Sequence, residues 1–166
     1  NVYAAVKNDN EEVHLLVRSP AGVWANHLVS DETPANRLSR PIVLLNEQNR
    51  TIQIFASFGG AIYQKNTSMD AIAFAPGLGT MVLRDADGVL SDPTSTRQNI
   101  SSSTGLVVLA ANLSPTGNYY HHEVAPVPTG PAAFTMSAPL PGTAGVQNIF
   151  GARGCTPNTV VTFLTS

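Results

Sequence analysis

The stretch Arg40–Ser57, RPIVLLNEQNRTIQIFAS, decides the fold. Two short apolar runs, Arg40 to Asn46 and Thr51 to Ser57, flank Glu47-Gln48-Asn49-Arg50, a segment of turn-forming composition. Runs of this length, rich in Ile, Val, Leu and Phe and separated by a polar turn, predict two antiparallel strands. Val43-Leu44-Leu45 is apolar without interruption, which suits a strand buried on both faces. Working downstream, Phe58-Gly59-Gly60 is the next turn, Ala61 to Lys65 a third strand and Thr80 to Arg84 a fourth. Asn66 to Gly79, with Pro76, Gly77 and Gly79, is an irregular connection between them.

The same punctuation recurs on both sides. Upstream, Val2 to Lys7, Glu12 to Ser19 and Val23 to Ser30 are joined by Asn8-Asp9-Asn10 and Pro20-Ala21-Gly22, a three-strand meander. Downstream, Thr96 to Ser101, Leu106 to Ala111 and Tyr119 to Val124 are joined by Ser102-Ser103-Thr104-Gly105 and Ser114-Pro115-Thr116-Gly117. No stretch carries a 3.6-residue apolar period with caps, so essentially no helix is expected. Overlaying the second and third units sets Ser39-Arg40-Pro41 on Thr96-Arg97-Gln98, at a separation the size of a propeller blade. The expected fold class is all-β, a partial β-propeller of four-stranded antiparallel blades. The second architecture is a β-sandwich, which calls for cleaner period-two alternation than these apolar runs show.

Domain organisation follows from a change of composition. Residues 1–125 hold about two and a half blades. Residues 126–134, with Pro126, Pro128 and Pro131, read as a stiff extended linker. Residues 135–166 read as the truncated start of a second β domain, with a strand at Thr159 to Leu164. Charged residues are 12% of the chain and the net charge is −2. That balance provides no basic field for nucleic acid or an anionic membrane. No apolar run is long enough for a spanning helix. Cys155, the only cysteine, has no partner within the chain and no organised His and Asn set around it. Four Asn-x-Ser/Thr sequons stand at Asn49, Asn66, Asn99 and Asn112, in polar surroundings that read as turns.

Arg18-Ser19-Pro20-Ala21-Gly22-Val23-Trp24 resembles a worn Asp-box turn, the Ser-x-Asp-x-Gly-x-Thr-Trp motif of sialidase-like (BNR-type) propellers. Ser68-Met69-Asp70 followed by Phe74 resembles a second worn copy. The first copy is short and has Ala21 in place of the Asp; the second lacks the Gly and has Phe near the Trp position. The chain as a whole is similar to bacterial cell-surface proteins in which such repeats precede immunoglobulin-like domains. The resemblance implies that the motif loop joins the third and fourth strands of a blade, with its aromatic residue packed under the sheet. It also implies six or more blades in a complete propeller, the rest coming from missing blades or a second copy of the chain, and a secreted or cell-surface location.

The ligand-binding candidates are Arg40, Arg97 and Tyr119. In the register above, both arginines open the innermost strands of adjacent blades, where two guanidiniums would clamp a carboxylate through paired hydrogen bonds. Sialidase-like enzymes, by the resemblance, hold acidic sugars this way. The plainer reading pairs each arginine with a blade-edge carbonyl or with an acid such as Asp85 or Asp92. In Tyr119-Tyr120-His121-His122, neighbours point to opposite faces of a strand, so only one histidine is offered per face and no metal site is expected. Asp85, Asp87 and Asp92 read as solvated turn acids around Gly88. No catalytic residue and no cofactor are assigned. The functional expectation is a non-catalytic extracellular module that binds a glycan or cell-surface ligand or serves as a scaffold. Its rivals are a fragment of a sialidase-like glycoside hydrolase and a purely structural interaction domain.

Overall fold

The computed structural model describes residues 1–31, 33–86, 89–112 and 117–124, together with the backbone of two short strands at 135–136 and 152–153. The chain divides into two compact units, Asn1–Pro126 and Val127–Ser166. In the second unit, β11 (Thr135–Met136) pairs antiparallel with β12 (Ala152–Arg153). The 126–134 segment, the Thr159–Leu164 strand and Cys155 lie outside the described residues.

The first unit is all-β, with no helix among the described residues. Its first sheet is a meander of β1 (Val2–Lys7), β2 (Val13–Arg18) and β3 (Trp24–Ser30). The second is a four-stranded meander of β4 (Ser39–Asn46), β5 (Thr51–Phe58), β6 (Ala61–Ser68) and β7 (Thr80–Arg84). The third comprises β8 (Leu90–Ser95), β9 (Leu106–Asn112) and β10 (Tyr119–Val124). All pairings are antiparallel. Short polar turns between short apolar runs leave little other choice, because sequential strands joined this tightly pair with one another.

The three sheets pack face on face. Val13, Leu15 and Val17 of β2 and Val29 of β3 meet Ile52, Ile54 and Ala56 of β5 in a first core. On the opposite face of the middle sheet, Leu44, Phe55 and Ile62 meet Leu90, Leu106, Val108 and Ala110 of the third sheet in a second core. The middle sheet is thus buried on both sides, as its uninterrupted apolar runs require. The outward face of the first sheet leaves Val2, Trp24 and Leu28 about half exposed, and that of the third does the same with Val107 and Leu109.

One sequence expectation needs correction. The third sheet opens with Leu90–Ser95, not with Thr96–Ser101. Pro93 disguises the strand, since proline cannot donate to a ladder. A β-bulge between Ser91 and Thr94 accommodates it. Residues 96–105 instead form a connection laid against the first strand of the middle sheet, Ile100 N–H donating to Leu45 C=O at 2.8 Å. Among the described residues the three sheets have three, four and three strands, the numbers read from the sequence.

The two motif-like turns behave differently. Residues 69–79 join β6 to β7, the third and fourth strands of the middle sheet, and pack Met69, Ile72, Phe74 and Leu78 onto the first core. The turn is pinned by Thr67 Oγ1, which accepts from Ala73 N–H at 2.9 Å, and by Arg50, whose guanidinium donates to both oxygens of the Asp70 carboxylate. Gly79 has φ +86°, and a Cβ there would lie 2.3 Å from the Gln64 carbonyl oxygen, so only glycine lets the loop close on β6. The Arg18–Trp24 turn joins the second and third strands of its sheet, and Trp24 is 53% exposed rather than packed beneath it.

Candidate functional site

A pocket of about 390 Å³ opens between the second and third sheets at the end where their first strands begin. Three backbone segments build it. Arg37, Ser39 and Arg40 come from the approach to β4 and its first residues; Ser57 to Gly60 form the β5–β6 hairpin; Val89, Leu90 and Ser91 lead into β8. Gly59 and Gly60 both adopt positive φ, +54° and +77°, which a two-residue hairpin loop demands. Leu90 N–H donates to Gly60 C=O at 2.9 Å, fixing the third sheet against this hairpin.

The two strand starts carry the same device. Ser39-Arg40-Pro41 and Ser91-Asp92-Pro93 each place a bulge at the first turn of the ladder. In each, the residue before the proline sits in the left-handed region, Arg40 at φ +52° and Asp92 at +53°. Such a conformation is costly for residues with a Cβ, about 1–3 kcal/mol each, and persists where surrounding structure dictates it. The bulges aim the two side chains at each other across the junction. Arg40 Nε lies 3.1 Å from Asp92 Oδ1 and Nη1 lies 3.3 Å from Oδ2, a two-point pair, while Nη1 also donates to Ser91 Oγ. Both side chains remain more than half exposed, 53% and 58%, so the pair is held at the mouth rather than buried.

The sequence candidates are distributed as follows. Arg40 lines the pocket and is paired with Asp92, one of the acids the sequence offered as its partner. Arg97 lies in a bend after β8, exposed, and is not among the lining residues; it follows the first strand of the third sheet instead of opening it. The arginine that joins Arg40 is Arg37. Tyr119 is 81% exposed on the outermost strand of the third sheet. It shares a row with Ala111 and Ser91, two strands away from the pocket wall, or about 10 Å at ordinary strand spacing. Tyr119 and His121 share the exposed face, His121 Nε2 standing 4.0 Å from Glu123 Oε2.

Asp85 is no solvated turn acid. It is buried and accepts a hydrogen bond from Asn112 Nδ2. Hydrogen bonding with this carboxylate, and then burial, raises the pKa of the Tyr120 phenol above its ordinary value. Asp87 and Gly88 lie outside the described residues. Among the described residues no group of three or more His, Cys, Asp or Glu gathers where it would hold a metal ion, and no helix is long and apolar enough to cross a membrane.

Sequence reasoning missed Arg37 and Ser91. The signal that finds Ser91 is the Ser-x-Pro pair at 39–41 and 91–93, whose central residues are 52 positions apart. Compared with known proteins, the chain matches no family model, no curated protein and no solved structure.

Proposed function

We propose that this chain is part of an extracellular β-propeller of the sialidase-like kind and acts there as a non-catalytic carbohydrate-binding module. The propeller reading is supported by a middle sheet with a core on each face and by antiparallel meanders stacked in sequence order, where a two-sheet sandwich would enclose one core. The half-exposed apolar residues on the two outermost faces suit further sheets on either side.

The observation that carries the binding function is the pocket at the junction of the second and third sheets. It is of the size that accepts a small ligand. Guanidiniums, three serine hydroxyls and glycine backbone converge on it, a polar lining that offers both donors and acceptors to a polyhydroxylated molecule. A secreted or cell-surface setting is part of the same proposal.

The test is a glycan-array screen of the full chain followed by titration calorimetry on any sugar it retains. Arg40→Ala is expected to weaken that binding at least tenfold while leaving the thermal melt close to wild type. Equal binding by the variant would remove the pocket from consideration, and a blank array would favour a purely structural role.

A further inference from the structure

Resting on the carbohydrate reading of this pocket, we infer that its ligand is an uncharged sugar held through a vicinal diol by the Arg40–Asp92 pair, and not an acidic sugar held by free arginines. The argument starts from what the guanidinium is already doing. Arg40 Nε and Nη1 both point at the Asp92 carboxylate, at 3.1 and 3.3 Å, and Nη1 also donates to Ser91 Oγ. A carboxylate arriving from solution would have to displace Asp92 or lie beside a charge of its own sign. Arg37, the other guanidinium of the pocket, has an interaction within the chain; the hydrogen bond and charge of Lys7 lower the pKa of Glu11 most, and the charge of Arg37 adds the least. Neither arginine stands as an unsatisfied anion receptor.

The pair that results is suited to something else. A carboxylate has about four lone-pair positions and a guanidinium five N–H donors, so a two-point contact leaves capacity on both. The two side chains are each more than half exposed, so that capacity faces solvent at the mouth. Adjacent sugar hydroxyls each donate once and accept twice. They fit a rigid array in which one edge accepts and the other donates. Ser39, Ser57 and Ser91 line the same pocket, and a hydroxyl satisfies either role. Gly59 has no heavy atom within 4 Å of where its Cβ would stand, so the hairpin leaves open space there for a sugar ring.

The left-handed backbone adds a second line. Arg40 and Asp92 are strained at equivalent bulges on neighbouring sheets, and what the strain achieves is their mutual aim. Backbone held in sparsely populated regions concentrates at ligand clamps, where the strain fixes geometry before the ligand arrives. A flexible surface ion pair contributes little and needs no such fixing.

The deciding experiment uses the full chain and two probe sets: neutral methyl glycosides (mannoside, galactoside, fucoside) and the acidic probes methyl glucuronide and N-acetylneuraminic acid. Each is titrated against wild type, Asp92→Asn and Ser91→Ala. Asparagine tolerates the left-handed region, so Asp92→Asn keeps the bulge, and an unchanged melt confirms it. The diol reading expects a neutral glycoside to bind, Asp92→Asn to weaken it about tenfold through loss of charged acceptors, and acidic probes to remain poor ligands of every variant. Ser91→Ala is expected to cost less. The acid reading expects the opposite sign: Asp92→Asn frees Arg40 and tightens the acidic probes. That result overturns the diol inference while carbohydrate binding stands. Binding of neutral glycosides untouched by Asp92→Asn also overturns it. Absence of binding by both probe sets, set beside a blank array, overturns the inference and the proposed function together.

Discussion

The two sheet junctions are built on one plan and finished differently. In the first, β2 and β3 lay Val13, Leu15, Val17 and Val29 on β5, and the 69–79 loop adds Met69, Ile72, Phe74 and Leu78 to the same core. Lys65, only 5% exposed, spans this junction by donating to Val29 C=O of the first sheet and to Gly77 C=O of the loop. In the second junction the core is equally apolar around Phe55, and the 96–105 connection adds Ile100 to it, while hydroxyls and the Arg40–Asp92 pair stand at an opening beside the β5–β6 hairpin. The contrast teaches that stacking makes the fold and that what is left at the rim makes the site. A chain can vary the rim without touching the cores.

The largest effects expected are in the cores themselves. Phe55 and Leu15 are both fully buried, one in each junction. Phe55→Ala is expected to cost about 3–5 kcal/mol and Leu15→Ala about 2–5 kcal/mol. Urea unfolding followed by fluorescence measures both. If the junctions form one cooperative unit, each variant moves the main transition as a whole. A Leu15→Ala protein that unfolds in two steps would break the comparison by making the first sheet separable.

Next comes Lys65. Replacing it with methionine keeps the stem and removes the donors, leaving two carbonyls short of partners. The expected loss is about 1–3 kcal/mol. Burial depresses the lysine pKa below its ordinary 10.5, with Asp31 opposing the shift. The unfolded chain therefore binds this proton more tightly than the folded one. Stability attributable to Lys65 should rise with pH between the depressed folded value and 10.5, as the buried charge is relieved. Chemical denaturation as a function of alkaline pH checks the sign, and Lys65→Met should abolish that rise. A wild-type profile that falls through this window would mean that the first junction is not sealed around the amine.

The smallest effect is expected at the surface of the sealing loop. Hydrogen bonding to Arg50, and then its charge, lowers the Asp70 pKa, although both side chains are well exposed. The contribution is present above the ordinary carboxylate value of 3.8 and is lost as pH falls through the lower folded value. Asp70→Asn should shift the melt least of the variants named, since exposed pairs are weakened by solvent and salt. A shift as large as that of Lys65→Met would mean that the loop, not the lysine, holds the first junction closed.

Much of this architecture was legible in the sequence. Val2–Lys7, Thr80–Arg84 and Tyr119–Val124 are strands with the bounds their composition suggests, and the neighbouring strands differ by only a few residues. Alternation and turn residues are local signals, and antiparallel meanders are local structures. The strand at Leu90–Ser95 was hidden because its proline is tolerated by a bulge, which depends on backbone geometry that no residue type announces. Losing that strand misplaced the third sheet's start, and with it Arg97 took the position that belongs to Asp92. Arg40 was legible as a strand-start arginine, and an acid was legible as its partner. Arg37 was not, since a polar residue in a connection carries no mark of the cavity it will line.

One feature of the third sheet bears on how the protein can be made. Asn112 carries a glycosylation sequon, yet its side chain is buried at the end of β9 and bonded to Asp85. An oligosaccharide at that nitrogen and the folded sheet exclude each other. In a host whose secretory machinery attaches glycans to nascent chains, every polypeptide modified there is diverted from this structure. Production in a host without that machinery, or removal of the sequon by Ser114→Ala, avoids that diversion, whereas the exposed Asn49, Asn66 and Asn99 are sites where the fold leaves room for a carried glycan.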